Sequence, residues 1–256
     1  MKASVIIANF NSGRFIKECI ESLRSQTYNK IEIIFFDDNS KDNSLEIIKD
    51  YNNVKIIKNK IQTNFGSLNQ INAFKKCIEI SSGEVIFFLD SDDYFAINKI
   101  EKVISTFQKN NDKMIIFDFP IVIKKNNKLF IKRKNNFLKT YWGYIHPTSC
   151  ISIRKKYIKK VFDTVLDNEF TDIWLDLRIL IFAKYFYKYE TLNENLTFYR
   201  QTEDNISSKF KKFSRNWWFR RKEAHDYFFN LMKKNDYKIS KNLDYYFTKF
   251  ITKLIK

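Results

Sequence analysis

The stretch "GEVIFFLDSDDYF", Gly83 to Phe95, decides how the rest of the chain is read. Its apolar run Val85–Leu89 has the length and composition of a buried strand, and it ends in three carboxylates within four residues: Asp90, Asp92 and Asp93. Like charges so close raise the free energy unless a cation, a hydrogen-bond donor or water compensates each one. Upstream, "ASVIIA" (3–8), "IEIIFF" (31–36) and "VKII" (54–57) are further short apolar strands. Between them lie helical patterns: "RFIKECIESLRSQ" (14–26), "SLEIIKDY" (44–51) and "LNQINAFKKCIEIS" (68–81). Asn43 with Glu46 resembles a capping box for the second helix, and Gly83 is the expected stop of the third.

Downstream the alternation continues with a helix, "INKIEKVISTFQ" (97–108), and a strand, "KMIIFDF" (113–119). A hairpin is expected in "IVIKKNNKLFIK" (121–132), its arms flanking a Lys-Asn-Asn-Lys turn. The pattern is then less regular until the helical "WLDLRILIFAKYF" (174–186). Strands that are apolar throughout and alternate with helices imply an α/β fold with a mostly parallel sheet covered on both faces. Such sheets bind ligands at the C-terminal ends of their strands. Asn9 and Asn11, Asp37 and Asp38, and Asp90 to Asp93 are all predicted on that one edge, which makes a site more economical than three unrelated turns.

Composition narrows the function. In 256 residues, 44% hydrophobic and 17% aromatic, a sizeable core is available. Three dispersed cysteines, with no C-x-x-C pair, suit a reducing compartment and argue against a disulfide framework or zinc ribbon. The first residues have too short an apolar run for a signal peptide, and no 18-residue apolar segment occurs, so a cytoplasmic protein is expected. Net charge is +17, which reads either as a lysine-rich solvated surface or as attraction to a polyanion. Carboxylates at a strand end facing a cleft suit Mg²⁺ or Mn²⁺, which often take one or two protein carboxylates and complete their shell with phosphates and water. Neither G-x-x-x-x-G-K-[ST] nor G-x-G-x-x-G is present, so a nucleoside diphosphate would be held largely through the cation.

The ordered set "SVIIANFNSGRFIKECIESLRSQTYNKIEIIFFDDNSKDNS", then "GEVIFFLDSDDYF", resembles the nucleotide-sugar domain of family-2 glycosyltransferases of the GT-A fold. The resemblance is strongest over residues 3 to 110 and continues more weakly to about 210. It implies a GT-A, Rossmann-like sheet with flanking helices in residues 1–208, the nucleotide-sugar half at about 1–110 and the acceptor half at about 111–208. It also implies an inverting, metal-dependent transfer from a UDP-sugar to a glycan or lipid-linked acceptor in surface polysaccharide synthesis.

Residue roles follow from the same resemblance. Phe10, where the family usually has Tyr, would stack on the base, with Ala8 and Asn11 shaping that pocket. Asp38 would accept from the base's ring N–H while Asp37 supports the loop. Asp90 would meet the ribose or the metal with Ser91 beside it, and Asp92 would be the principal metal ligand. Asp93 would brace the following helix. In "FTDIWLDLRIL" Thr171 stands where the family has Glu, Asp172 is the general base and Arg178 the downstream Arg; Asp176 reads as structural. In "YIHPTSCISIRKKYI" His146 reads as structural too. In "LTFYRQTEDNISS" Arg200 would meet the diphosphate, and Thr202 stands where His is common. Asn72 does not match the family's pattern and takes no role.

Residues 209–256 are expected to form a basic, aromatic, helical extension. These helices either close over the catalytic domain or dock on an anionic membrane, with Trp217, Trp218 and Phe219 at the headgroup level on the inner face of the cell membrane. Two rivals remain at this stage. A nucleic-acid-binding protein would explain the charge but not the strand-end carboxylates, which repel phosphates, so nucleic acid is an unfavoured partner. A catalytically inactive sugar-nucleotide-binding module would explain Thr171 and Thr202.

Overall fold

The computed structural model describes residues 1–124, 127–131, 140–202 and 210–255. The first half is laid out as the alternation predicts. Strands β1 (Ala3–Asn9), β2 (Ile31–Asp37), β3 (Val54–Lys58) and β4 (Val85–Asp90) alternate with helices α1 (Gly13–Arg24), α2 (Ser44–Lys49) and α3 (Gly66–Ile80). After a two-residue strand β5 (Tyr94–Phe95) come α4 (Lys99–Lys109) and the hairpin of β6 (Ile115–Lys124) with β7 (Asn127–Phe130). The second half adds β8 (Ile151–Arg154), α5 (Lys155–Val165), α6 (Leu175–Phe186), β9 (Tyr189–Arg200), α7 (Arg215–Lys234) and α8 (Leu243–Leu254).

One sheet runs β3-β2-β1-β4-β8-β6-β9-β5, with β7 paired to the C-terminal half of β6. The first four strands are parallel, in a register that sets Asn9 beside Asp37 and Ala8 beside Asp90. β8 lies antiparallel to both β4 and β6, and β9 is parallel to β6. Successive side chains point to opposite faces. Ile6, Ile34, Phe36, Ile86 and Phe88 therefore share one core with α3, α5, α6 and α7, while Val5, Ile7, Phe35, Phe87 and Leu89 share the other with α1 and α4. Burial on both faces is the reason these strands show no polar alternation. The inner side of α7 (Ala224, Tyr227, Phe228, Leu231, Met232) belongs to the first core, so this helix closes over the sheet.

Several local expectations need correction. Asn43 makes no side-chain cap to α2. Its neighbour Asp42 does that work, accepting from the Ser44 N–H at 3.0 Å and from the Gly13 N–H at 2.8 Å, so one carboxylate opens α2 and pins the start of α1. Gly83 is not a left-handed helix stop. A Cβ there would lie 2.6 Å from the Ser4 backbone nitrogen and 2.8 Å from the Ala3 carbonyl carbon, so glycine is required by close approach to β1. The hairpin is present, but its turn at 125–126 lies outside the described residues. β8 and α5 fall in the stretch that reads as irregular, and β9 follows the helix that ends it. Ile158, Val161, Phe162 and Val165 nevertheless give α5 a clear buried stripe.

Candidate active site

The C-terminal edge of β1, β2 and β4 brings the three polar clusters together. Asn9 is buried at the end of β1 and donates from Nδ2 to Asp37 Oδ1 (2.9 Å) and Ser40 Oγ (3.0 Å). Asp37 Oδ2 also accepts from the Ser40 N–H. Both oxygens of Asp37 are thus engaged in holding the loop, which is the supporting role expected of it. Asn11 takes a left-handed conformation (φ 51°), and its Oδ1 accepts from the Lys41 N–H at 2.7 Å. This turn leaves the Phe10 ring 51% exposed at the lip of the edge, a ledge available to a planar ligand. Asp38 is buried at the end of β2, accepting from Asn59 Nδ2 (2.6 Å) and Gln62 Nε2 (2.9 Å).

The carboxylate turn after β4 is anchored from three directions. The Ser91 N–H donates to the Ala8 carbonyl, tying the turn to β1. Asp90 accepts from Gln70 Nε2 of α3 at 2.7 Å, and its own N–H donates to Ser149 Oγ at 3.0 Å. Asp93 is fully buried, accepting from Ser149 Oγ (2.6 Å) and from the Arg200 N–H (2.8 Å). Asp93 therefore braces β9 and the 148–150 turn rather than the following helix. Under this floor, the buried Lys99 ammonium donates to the Ser149 carbonyl and to Thr197 Oγ1, both at 2.6 Å, and pairs with Asp118 at 2.8 Å.

Asp90 and Asp92 are left facing the cleft, partly buried. Burial first, and then the Asp92 charge, push the Asp90 carboxyl up to about 7. Burial raises Asp92 to about 6 against the opposing pull of Arg200 and Arg14. Two carboxylates that resist ionisation side by side are the donor set a hard divalent cation stabilises. No group of three His, Cys, Asp or Glu residues that could hold an ion by itself occurs among the described residues, so a cation here would need phosphate and water to complete its shell. Asp93 is already spent on its two donors. Arg200 is buried, donating to the Asp92 carbonyl (2.6 Å) and pairing with Glu18, its guanidinium between the Phe15 and Tyr94 rings. It rigidifies the turn that carries Asp92.

The loop 166–174, tied to the start of α3 by the Ser67 hydroxyl donating to the Thr171 carbonyl, carries Asp172. Arg178, fully buried, donates to the carbonyls of Val165, Asp167, Phe170 and Ile173, which fixes the loop's path. From α7, Tyr227 donates its hydroxyl hydrogen to the Val165 carbonyl, and Glu223 accepts from the Asp172 N–H at 3.1 Å. Asp172 is exposed and does not cap α6, whose N-cap position is Trp174. Asp176, in the first turn of α6, is less remote than its sequence position suggests. Its charge is among the causes that raise Asp90, so the two carboxyl groups are near each other. Burial raises Asp176 as well, opposed by Arg220 of α7. His146 is structural as expected: buried, bonded through Nδ1 to the Asp118 carbonyl, and depressed by burial to about 4. Asn72 is exposed. Beyond Thr202, the Asn and Ser of "TEDNISS" lie outside the described residues.

Sequence reasoning missed Gln62, Gln70, Glu223 and Arg220, whereas Ser149 belongs to the Pro-Thr-Ser segment that the family resemblance marks. The missed residues are polar side chains brought to the site by tertiary contacts, and no local pattern marks them.

The Glycosyl transferase family 2 profile matches residues 4–166, more than half of the chain. This chain belongs to glycosyl transferase family 2. An uncharacterised glycosyltransferase of Nostoc sp. is 32% identical over 215 residues, 78% of this chain and 65% of the relative. The Escherichia coli UDP-Glc:alpha-D-GlcNAc-diphosphoundecaprenol beta-1,3-glucosyltransferase WfgD is 29% identical over 84% of this chain and 83% of its own length. This family-2 chain spans 65% of the Nostoc relative and 38% of the Streptococcus pneumoniae glycosyltransferase GlyG. Among solved structures, Staphylococcus aureus TarS 1–349 in complex with UDP superimposes with a TM-score of 0.62 at 15% identity, over 89% of this chain and 65% of that one. The Pyrobaculum calidifontis mannosyltransferase PcManGT, in complex with GDP-Man and Mn²⁺, gives 0.59 at 13% identity, over 95% and 66%. The fold is GT-A.

Proposed function

We propose that the protein is an inverting glycosyltransferase that moves a sugar from a UDP-sugar to a glycan or lipid-linked acceptor in surface polysaccharide synthesis. The observation that carries this reading is the convergence of the Phe10 ledge, the Asp38 carboxylate and the Asp90/Asp92 pair on one sheet edge, with exposed Asp172 on the loop before α6. The UDP complex of TarS, and the UDP-Glc donor and diphosphoundecaprenol acceptor in WfgD's name, support the donor and acceptor classes. In this reading the base stacks on Phe10, between Ala8 and Asn11, and donates its ring N–H to Asp38. Asp90 and Ser91 receive the ribose side, and Arg200 lies along the diphosphate.

Mg²⁺ or Mn²⁺, held by Asp92 with Asp90 beside it, would supply positive charge against the leaving diphosphate. The Mn²⁺ in PcManGT's title supports that choice. Asp172 takes the proton from the acceptor hydroxyl as its oxygen bonds to the anomeric carbon. The bond from that carbon to the diphosphate oxygen breaks on the opposite face, so the anomeric configuration inverts. Glu223 and Arg178 hold the loop that presents Asp172. No helix among the described residues is long and apolar enough to cross a membrane. We place the enzyme in the cytoplasm, on the inner face of the membrane where a lipid-linked acceptor is anchored.

Calorimetric titration of UDP, GDP, CDP and dTDP, with and without Mn²⁺, tests the donor site. UDP alone should bind tightly, only with metal, and Asp92→Asn should abolish the metal dependence. A folded protein that binds none of the four would discard the reading. Donor binding without transfer to any acceptor would favour an inactive binding module.

A further inference from the structure

Helix α8 presents its apolar residues the wrong way round for a helix that only seals a core. Tyr245, Thr248 and Thr252 face inward. Leu243, Tyr246, Phe247, Phe250 and Leu254 are exposed, at 88, 57, 57, 57 and 66%. Their spacing sets all five within about 100° of the helix circumference, so they form one continuous stripe. Exposed Lys249 and Lys253 run along one border of it. The stripe is extended by rings from the neighbouring helix: Phe247 meets Trp218 at 5.8 Å, Trp218 meets Trp217 at 4.7 Å, and Trp217 meets Phe213 at 5.4 Å. Phe213 is 64% exposed and sits in a left-handed turn (φ 68°), next to exposed Lys211, Lys212 and Arg215.

Large apolar side chains grouped on a soluble surface mark an interaction face. The surrounding charge says which kind. Residues 209–256 hold fourteen Lys and Arg against four Asp and Glu, so a second copy of the same face would bring like charges together. An amphipathic helix with aromatic and leucine side chains on one side and lysines at its border suits the headgroup region of an anionic bilayer.

We infer that α8, continued by Trp218, Trp217 and Phe213, is a docking face that lies in the plane of an anionic membrane surface. The inserting residues are the α8 stripe rather than Trp217, Trp218 and Phe219, which are each only partly exposed. The inference deepens the membrane-side placement proposed above and is independent of donor chemistry.

The test is co-sedimentation with vesicles of phosphatidylglycerol and phosphatidylcholine, against phosphatidylcholine alone, at low salt. The protein should bind the anionic vesicles and be released by salt. Phe247→Ser/Phe250→Ser should weaken partitioning about tenfold or more. Lys249→Gln/Lys253→Gln should weaken it roughly thirtyfold, the worth of two lysines near an anionic surface. All four positions are exposed, and unchanged thermal melting checks that the fold is intact. Failure of the wild type to bind anionic vesicles, or unchanged binding by both variants, overturns the inference. So does a concentration-dependent dimer that the Phe247/Phe250 variant loses. UDP titration of the same samples separates the two proposals: vesicle failure with intact UDP binding removes only the docking face, and the reverse removes only the transferase reading.

Discussion

Lys99→Met is the most demanding single perturbation of the platform under the site. The Lys99 ammonium is fully buried, 2.8 Å from an equally buried Asp118 carboxylate. It engages Asp118 Oδ2 as a charge partner, outside good hydrogen-bond alignment, while Asp118 Oδ1 accepts from Thr197 Oγ1 at 2.8 Å. Methionine keeps the length of the side chain and removes the charge and both donated bonds, to the Ser149 carbonyl and to Thr197. Breaking a buried pair by removing one partner costs about 3–5 kcal/mol, because the other charge is left unpaired. At about 2–4 °C per kcal/mol for a domain of this size, the melting temperature should fall by about 10 °C. Replacing both members, as in Lys99→Met/Asp118→Leu, should restore half of that or more, since neither charge then remains buried. Because Ser149 also holds Asp90 and Asp93, the single variant should weaken UDP binding along with stability. Differential scanning calorimetry and UDP titration read the two effects. A single variant that melts within about 2 °C of wild type would refute the reasoning, since the expected cost is several times larger.

Asp172→Asn should keep UDP affinity and lower transfer by about 10²- to 10⁴-fold, the usual weight of a general base. Normal turnover in that variant, together with loss in Asp176→Asn, would move the base one turn along α6. Glu223→Ala should reduce turnover about tenfold at unchanged UDP affinity, because it frees the Asp172 loop without touching the donor side; that is roughly the worth of one hydrogen bond to a charged group. His146 should make the fold acid-sensitive. Its imidazole titrates near 4 when folded and near its ordinary 6.5 when unfolded, so in that window the unfolded state binds the extra proton. Its contribution, about 3 kcal/mol, is present above pH 6.5 and lost as the pH falls through 4. The raised carboxyl of Asp90 works in the opposite direction, so the comparison is the stability difference between wild type and His146→Gln across pH 4–7. A difference that does not change over that range would exclude the effect.

Much of the first half was legible because strands buried on both faces and amphipathic helices write their periods into the sequence. Val85–Asp90 and Gly13–Arg24 are read almost to the residue. The strand-end rule likewise places Asn9, Asp37, Asp38 and Asp90 on one edge. What stayed hidden is set by partners distant in the chain. Four residues of β8 and two of β5 are strands only because β4, β6 and β9 supply hydrogen bonds. The role of Gly83 came from the nearness of Ser4, not from a helix end. The nearness of Asp176 to Asp90 is likewise not written in its helical position. The exposed side of α8 was invisible for a related reason: periodicity shows that a helix has two faces, and only packing shows which one is turned outward.

The bond from the Arg200 N–H to Asp93 joins residues 107 apart in the chain. During synthesis the acidic turn leaves the ribosome well before the strand that clamps it, by roughly 5 to 20 s at ordinary elongation rates. For about the first half of that interval Asp90, Asp92 and Asp93 lack Ser149, and throughout it they lack β9, although the four parallel strands are already complete. The nascent protein therefore has the parallel part of its sheet before its donor site, and acquires the site only once nearly four-fifths of this sequence has been made.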